Sequence, residues 1–516
     1  MLQALPLLAK NRIIAPPGFN RWLVPPAALA IHLCIGMAYG FSVFWLPLSR
    51  AVGITESAPS DWKISTLGWM YTLFFVMLGS SAALFGEWVE REGPRKAGVV
   101  AACCWGGGFF LSALGVYTHQ VWMLWLGSGV IGGCGLGLGY ISPVSTLMKW
   151  FPDRRGMATG LAIMGFGGGA MIGTPLADQL MRRFATPASV GVWQTFVVMG
   201  VLYLAFMLAG AFAYRLPAPG WQPAGWTPPI TQQSAVRAAG MTAHTAWTTP
   251  QFWLLWGVLC LNVSAGIGVL GMASPMIQEM FQGRVSASAA AGFTGLLSLF
   301  NIGGRIFWAS LSDRIGRKPT YAVFFLLGVA LYASIPAIGA RGNLVLFVAV
   351  FSVILTMYGG GFATIPAYLA DLFGVGHVSA IHGRLLTAWS TAGILGPVLV
   401  NYIRELQIDR GVPPAQAYEI TMYILAGFLV VGFFCNLAVR PVAERLFEQD
   451  AARVKATPVE GRSVPVPAAH TSAANAAPHA PAGQWLAVAV AWLLVTVPLA
   501  WGVYNTMALA RRLFTA

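Results

Sequence analysis

The sequence predicts an all-α polytopic membrane protein. It is read as two six-helix bundles with pseudo-two-fold symmetry plus an extra C-terminal helix, the thirteenth. Three observations carry this. First, of 516 residues 57% are apolar and only 9% charged, against about 25% charged in an average soluble protein, and the mean hydropathy is +0.68. So few charges cannot cover a soluble chain of this size. Second, thirteen runs approach the roughly 20 apolar residues that a helix needs to cross the hydrocarbon layer. Third, one loop occurs twice at a fixed displacement. The same composition excludes a disordered chain, a collagen and a secreted disulfide scaffold.

In chain order the first six spans are Trp22–Leu48, Trp69–Trp88, Ala97–Tyr117, Val121–Leu147, Met157–Leu180 and Trp193–Tyr214. The next six are Phe252–Met276, Ala289–Leu311, Tyr321–Ile338, Leu344–Tyr368, Leu385–Ile403 and Tyr418–Val439, and Trp485–Ala510 is the thirteenth. Residues 1–21 form a cytoplasmic N-tail, 22–214 the N-terminal bundle, and 215–250 a Pro-, Gly- and Thr-rich cytoplasmic linker. Residues 251–440 form the C-terminal bundle, 441–484 a disordered Ala/Pro-rich cytoplasmic tether, and 485–510 the extra transmembrane helix. The net charge of +14 reads as cationic loops beside the bilayer, with no nucleic acid as partner. With the N-terminus inside, inner segments hold twenty Lys and Arg and outer segments ten, the bias expected of a cytoplasmic (inner) membrane protein. The Arg511-Arg512 pair then falls outside, with a periplasmic C-terminus and against the rule. The six cysteines lie singly in apolar runs or as the neighbours Cys103 and Cys104, without a CxxC pair or His cluster. They read as packing residues, and neither a metal nor a cofactor is expected. No signal-peptide cleavage site follows the first basic residues.

Between spans two and three the chain reads Glu90-Arg91-Glu92-Gly93-Pro94-Arg95-Lys96, and between spans eight and nine Asp313-Arg314-Ile315-Gly316-Arg317-Lys318. Glu90 and Asp313, Arg91 and Arg314, and Gly93 and Gly316 are each 223 positions apart, and Pro175 and Pro397 are 222 apart. One displacement at both places marks a duplication of six spans. In each loop an acid ends a helix, a Gly permits a tight reversal, and cations follow at the inner leaflet.

This loop resembles the signature loop of the major facilitator superfamily. The resemblance implies the major facilitator fold: two bundles around a central cavity that opens alternately to each side. The loop residues Glu90, Arg91, Gly93, Arg95, Asp313, Arg314, Gly316 and Arg317 would then act as an inner gate latch. Lys149-Trp150-Phe151-Pro152-Asp153-Arg154-Arg155-Gly156, Thr249-Pro250-Gln251-Phe252-Trp253 and Asn301-Ile302-Gly303-Gly304-Arg305 resemble the oxalate/formate antiporter (OFA) branch, which is related to the monocarboxylate porters. The resemblance covers most of the first 440 residues and leaves the thirteenth helix out.

Arg305 is the most informative residue. It lies inside span eight, about 12 Å at helical rise from Asp313, where insertion costs about 2.5–3.5 kcal/mol. Thr294, Ser298, Asn301 and Arg305 recur at helical spacing and form one polar face. That face implies a watery cavity or a polar partner, although an arginine at this depth could also snorkel to the headgroups. No Asp or Glu occupies the middle of any span, so the guanidinium should attract an anion, and its planar fork suits a carboxylate. A multidrug cation exporter would instead want a buried acid.

The resemblance also implies that Tyr39, Tyr140, Phe166, Tyr358 and Phe362 line the substrate site with Arg305, supported by Asn301. The family's oxalate exchanger carries a lysine in span eleven where this chain has Trp389. One buried cation balances one carboxylate, and a second charge would be left unpaired at a cost of several kcal/mol. The expectation is a monocarboxylate such as formate, lactate or pyruvate, carried by alternating access as an exchanger or a proton-coupled symporter. Animal monocarboxylate porters have an Asp at the place of Asn301, so His32 is the mid-span candidate for a proton carrier. The alternatives are an oxalate/formate (dicarboxylate) antiporter and, from another class, a transporter-like membrane sensor without net flux. A membrane enzyme would need a nucleophile–base pair or metal cluster on facing spans, and no such motif occurs. A monomer in the lipid bilayer is expected, with a small carboxylate, and optionally a proton, as partners.

Overall fold

The computed structural model describes residues 6–153, 155–218, 221–226, 240–374, 377–456 and 482–514. Thirteen long helices run through them. The first seven are α1 (Arg21–Leu48), α2 (Ile64–Glu92), α3 (Pro94–Tyr117), α4 (Val121–Trp150), α5 (Arg155–Phe184), α6 (Val192–Ala213) and α7 (Pro250–Met280). The rest are α8 (Ala287–Ile315), α9 (Arg317–Ala340), α10 (Leu344–Phe373), α11 (Ala380–Asp409), α12 (Glu419–Ala438) and α13 (Ala482–Arg511). Twelve helices are long and apolar enough to cross a membrane; α8 is long enough but falls short in hydropathy. The polar face that carries Arg305 is the cause.

Local chemistry sets the helix starts. Thr249 accepts from Phe252 N at 3.3 Å, Ser286 from Ala289 N at 3.2 Å and Asn343 from Leu346 N at 3.0 Å. These side-chain caps satisfy N–H groups that have no partner within the helix. Pro94 and Pro250 open α3 and α7, where a missing N–H does no harm.

The duplication is visible in atoms. α2 and α8 both end on a glycine, Gly93 at φ 94° and ψ 161° and Gly316 at φ 90° and ψ 157°. Side chains rarely tolerate this backbone region. Each glycine N–H bonds back, to Val89 O at 2.9 Å and to Ser312 O at 3.0 Å. The equivalent cations then do the same work. Arg95 donates to Phe212 O (2.9 Å) and Tyr214 O (3.3 Å) at the end of α6, and Lys318 to Leu437 O (2.7 Å) and Val439 O (2.8 Å) at the end of α12.

At the end remote from these loops the halves meet. Trp45 Nε1 donates to Gly271 O (2.6 Å), Trp69 Nε1 to Tyr402 Oη (2.9 Å) and Ser288 Oγ to Asp178 (3.3 Å), and Lys63 pairs with Glu405 (3.2 Å). Towards the loop end a cavity of about 190 Å³ lies between α2 and α4 on one side and α10 and α11 on the other.

Two segments differ from the sequence reading. The expected 441–484 tether contains a helix, Glu444–Ala456. Its Phe447 and Asp450 are buried, and Asp450 accepts from Thr242 N and Thr242 Oγ1, both at 2.7 Å. The Ala/Pro-rich composition begins only after this helix, and 457–481 lies outside the described residues. In the 215–250 linker, Leu216 pairs with the N-tail through Leu216 N to Ile13 O (2.7 Å), and Ala243–Trp247 is a short helix capped by Thr242.

Candidate functional site

The polar face of α8 is buried along its whole length. Thr294 Oγ1 donates to Ala290 O at 3.1 Å. Ser298 Oγ donates to Gly167 O at 2.5 Å and accepts from Met171 N at 3.2 Å, tying α8 to α5. Asn301 Oδ1 accepts from Arg305 Nε at 3.0 Å, and Arg305 Nη1 donates to Ile163 O of α5 at 3.0 Å. Arg305 is 2% exposed, so it is enclosed by protein rather than snorkelling. Its Cζ lies 5.6 Å from the centre of the Phe362 ring, near enough for a cation–π contact. Among the described residues no carboxylate pairs with it. The close approach depends on Gly167, where an added Cβ would lie 2.8 Å from Arg305 Nε.

Aromatic rings from both halves close around this cation. Tyr39 of α1 packs edge-on against Phe166 of α5 at 4.9 Å, and its hydroxyl accepts from Tyr358 Oη of α10 at 3.0 Å. Trp389 of α11 lies 4.3 Å from Phe362, 5.5 Å from Tyr140 and 5.6 Å from Phe166. The eight side chains expected at the site therefore form one cluster. His32 joins its edge, stacked on Tyr140 at 5.5 Å. Its Nδ1 meets Ala162 O, and its Nε2 is 3.1 Å from Tyr140 O.

Among the eight expected side chains, four donor groups are buried without a hydrogen-bond partner among the described residues: Arg305 Nη2, Asn301 Nδ2, Tyr140 Oη and Trp389 Nε1. An unmet buried donor costs about 1–3 kcal/mol. Four of them, one on the cation itself and three on side chains clustered with it, leave unmet capacity to donate to acceptor oxygens.

Two cluster members escape the sequence reading. Phe75 of α2 stacks 5.7 Å from Trp389 and 6.1 Å from Tyr39, and Tyr71 lies 5.0 Å from Phe75. Their i, i+4 spacing, the same as that of Tyr358 and Phe362, is the signal that could have found them. The carbonyl of Ile163 has no sequence signal.

The loop residues sit apart from this cluster. Arg95 is buried against α6 and also donates to Leu7 O at 3.1 Å. Arg91 pairs with Glu92 at 3.3 Å, and Arg317 contacts Ser312, Asp313 and Asp371, the last at 3.5 Å. Arg314 is exposed. The side chain of Glu90 lies outside the described residues. Each of these contacts stays within one half.

The model of the Major Facilitator Superfamily matches residues 27–397. The chain belongs to that superfamily. Among major facilitator relatives, the oxalate:formate antiporter of Oxalobacter formigenes is 27% identical over 73% of this chain and 83% of its own. Monocarboxylate transporter 11 of Homo sapiens is 24% identical over 76% of this chain and 78% of its own. The crystal structure of a bacterial homolog of the human lysosomal transporter Spinster, inward-facing and unoccupied, superposes with a TM-score of 0.59 at 15% identity. It covers 83% of this chain and 97% of that one, and this likeness shows the fold alone. A major facilitator protein with these helices is a multi-pass membrane protein.

Proposed function

We propose that this protein is a secondary carrier that moves small monocarboxylates, of the size of formate, lactate or pyruvate, by alternating access. The observation that carries the reading is the set of four unmet donors, one on an arginine without an acid partner among the described residues and three on side chains clustered with it. A carboxylate supplies what the cluster lacks: one negative charge and two oxygens with several lone pairs. Arg305 Nη2 and Asn301 Nδ2 bind the carboxylate, Tyr140 donates from the opposite half and Trp389 from α11 of the same half, and Tyr39, Phe166, Tyr358 and Phe362 exclude water and set the size. The oxalate:formate antiporter and monocarboxylate transporter names of the relatives support the class.

Monovalency follows from Trp389. Its indole offers a donor without a charge, so a dianion would bring a second charge with no buried cation to meet it. Exchange of one anion for another needs no further group. Where transport is proton-coupled, His32 receives the proton. A neutral imidazole can donate to only one of the two facing carbonyls, whereas the imidazolium donates to both.

The reading places the chain in the cytoplasmic membrane. Its N-tail, signature loops, linker and the Glu444–Ala456 helix lie inside, and the end of α13 lies outside. The Gly93 and Gly316 loops meet as the inner latch only in the conformation that opens outward. Counterflow of labelled formate, lactate, pyruvate and oxalate in proteoliposomes tests the function. Monocarboxylate exchange with little oxalate exchange supports it. Saturable binding of the same anions without flux would make the protein a sensor instead.

A further inference from the structure

α13 lies over the seam where α5 meets α8, the contact line between the halves. Four hydrogen bonds tie it to the N-terminal half. Thr506 Oγ1 donates to Met171 O at 2.9 Å and Asn505 Oδ1 accepts from Gln179 Nε2 at 2.9 Å, both on α5. Trp492 Nε1 donates to Trp22 O at 3.2 Å, and Gln484 Oε1 accepts from Asn20 N at 2.8 Å. Against α8 the contact is a close one over two glycines of α8. An added Cβ at Gly292 would lie 2.8 Å from Leu509 Cβ, and one at Gly295 would lie 2.5 Å from Thr506 Oγ1. None of these four bonds reaches α8. A smooth, glycine-lined contact on one side and a bonded contact on the other are what a part needs to be carried by one body while sliding over another.

We infer that α13 is mechanically a seventh helix of the N-terminal half, which travels with α5 and slides over α8 as the halves rock. It thereby shields the polar seam of Ser298, Thr174 and Ser288 from lipid when α5 and α8 part. This rests on alternating access, and its test separates the two. In the full chain, the pair Ile172→Cys/Gly502→Cys bridges α13 to α5, and Gly292→Cys/Leu509→Cys bridges it to α8. Oxidation of the first pair leaves counterflow of the wild type's best monocarboxylate unchanged. Oxidation of the second stops it at least tenfold, and a reductant restores it. Both pairs being tolerated, both blocking, or only the α5 bridge blocking each overturns the inference. Wild-type counterflow in the same vesicles reports on alternating access itself.

A separate observation concerns the cavity at the loop end. Its lining includes Arg384 and His382 and, among the described residues, no carboxylate. Among the described residues Arg384 makes no side-chain ion pair. His382 is 8% exposed, and its Nε2 is buried without a partner. Tyr140 belongs both to this cavity and to the Arg305 cluster. We propose that Arg384 and His382 form a second site, a waiting place for a small carboxylate between the inner solution and Arg305. This deepens the carrier reading and depends on it. Arg384→Gln or His382→Gln raises KM about tenfold for transport from the loop face in inside-out vesicles, and the KM at the other face is unchanged. Arg384→Gln also removes the salt dependence of the first value. Unchanged KM at the loop face, or equal shifts at both faces, overturns the proposal. Loss of all transport in wild-type vesicles would instead tell against the carrier.

Discussion

At Arg305, charge and shape can be separated. Arg305→Lys keeps the charge but loses the planar fork that bonds Asn301 and Ile163 O at once and, in the proposed reading, leaves Nη2 for an anion. A charge-assisted bond is worth about 1.5–3 kcal/mol, so carboxylate affinity should fall about 10–100-fold, read as binding by thermal stabilisation. Trp389→Lys adds the second cation. The ratio of oxalate to formate exchange should then rise about tenfold or more, and an unchanged ratio would remove the charge-counting argument. The sequence makes Arg305 and Asn301 legible because polar residues at helical spacing in an apolar span are costly and must be answered. It marks Phe75 only weakly, through its i, i+4 spacing from Tyr71, because aromatics are common in membrane helices. It hides the carbonyls of Ile163 and Ala162, which every residue possesses and only geometry selects.

At the scale of elements, close helix approach rests on a few glycines. An added Cβ at Gly36 would press into the Phe166 carbonyl and the Gly169 backbone, and one at Gly168 would lie 2.7 Å from Ile302 Cδ1. Gly36→Val should therefore destabilise by about 1–3 kcal/mol and lower Tm, whereas Gly107→Val, with nothing within 4 Å, should not. The helix Glu444–Ala456 shows how short segments evade a reading by composition. It is held by one buried acid, Asp450, and one buried ring, Phe447, rather than by a long apolar run. Burial alone would raise the Asp450 carboxyl, but bonds from the Thr245 hydroxyl and from Thr242 N and Oγ1 outweigh it and hold it below the usual aspartate range. The lowered value means that the anion stabilises docking above the unfolded pKa of about 3.9 and that this is lost as pH falls through the folded value. Limited proteolysis within Glu444–Ala456 should be slow at neutral pH and accelerate below about pH 4. An Asp450→Asn variant should be cut faster at neutral pH and show less of that acceleration.

For the whole molecule, the repeat is the feature most fully legible in sequence, because a duplication leaves the same chemistry at a fixed distance. It returns in the structure as two glycines in one backbone region and two cations on equivalent carbonyls. The place of α13 was not legible, since its apolar surface says that it meets lipid or protein but not which. With the remote end closed by Trp45, Trp69 and Lys63 and the cavity towards the loops, the conformation serves the loop face. A thiol probe that crosses no membrane should therefore label Ser145→Cys from the loop face, faster without substrate than when the outward-open state is trapped. The most direct measurement is counterflow and thermal stabilisation by formate, lactate and pyruvate in wild type and Arg305→Gln. The prediction is saturable exchange and a raised Tm in wild type, both lost in the variant while the variant remains folded. Wild-type exchange and stabilisation persisting in Arg305→Gln would contradict the account.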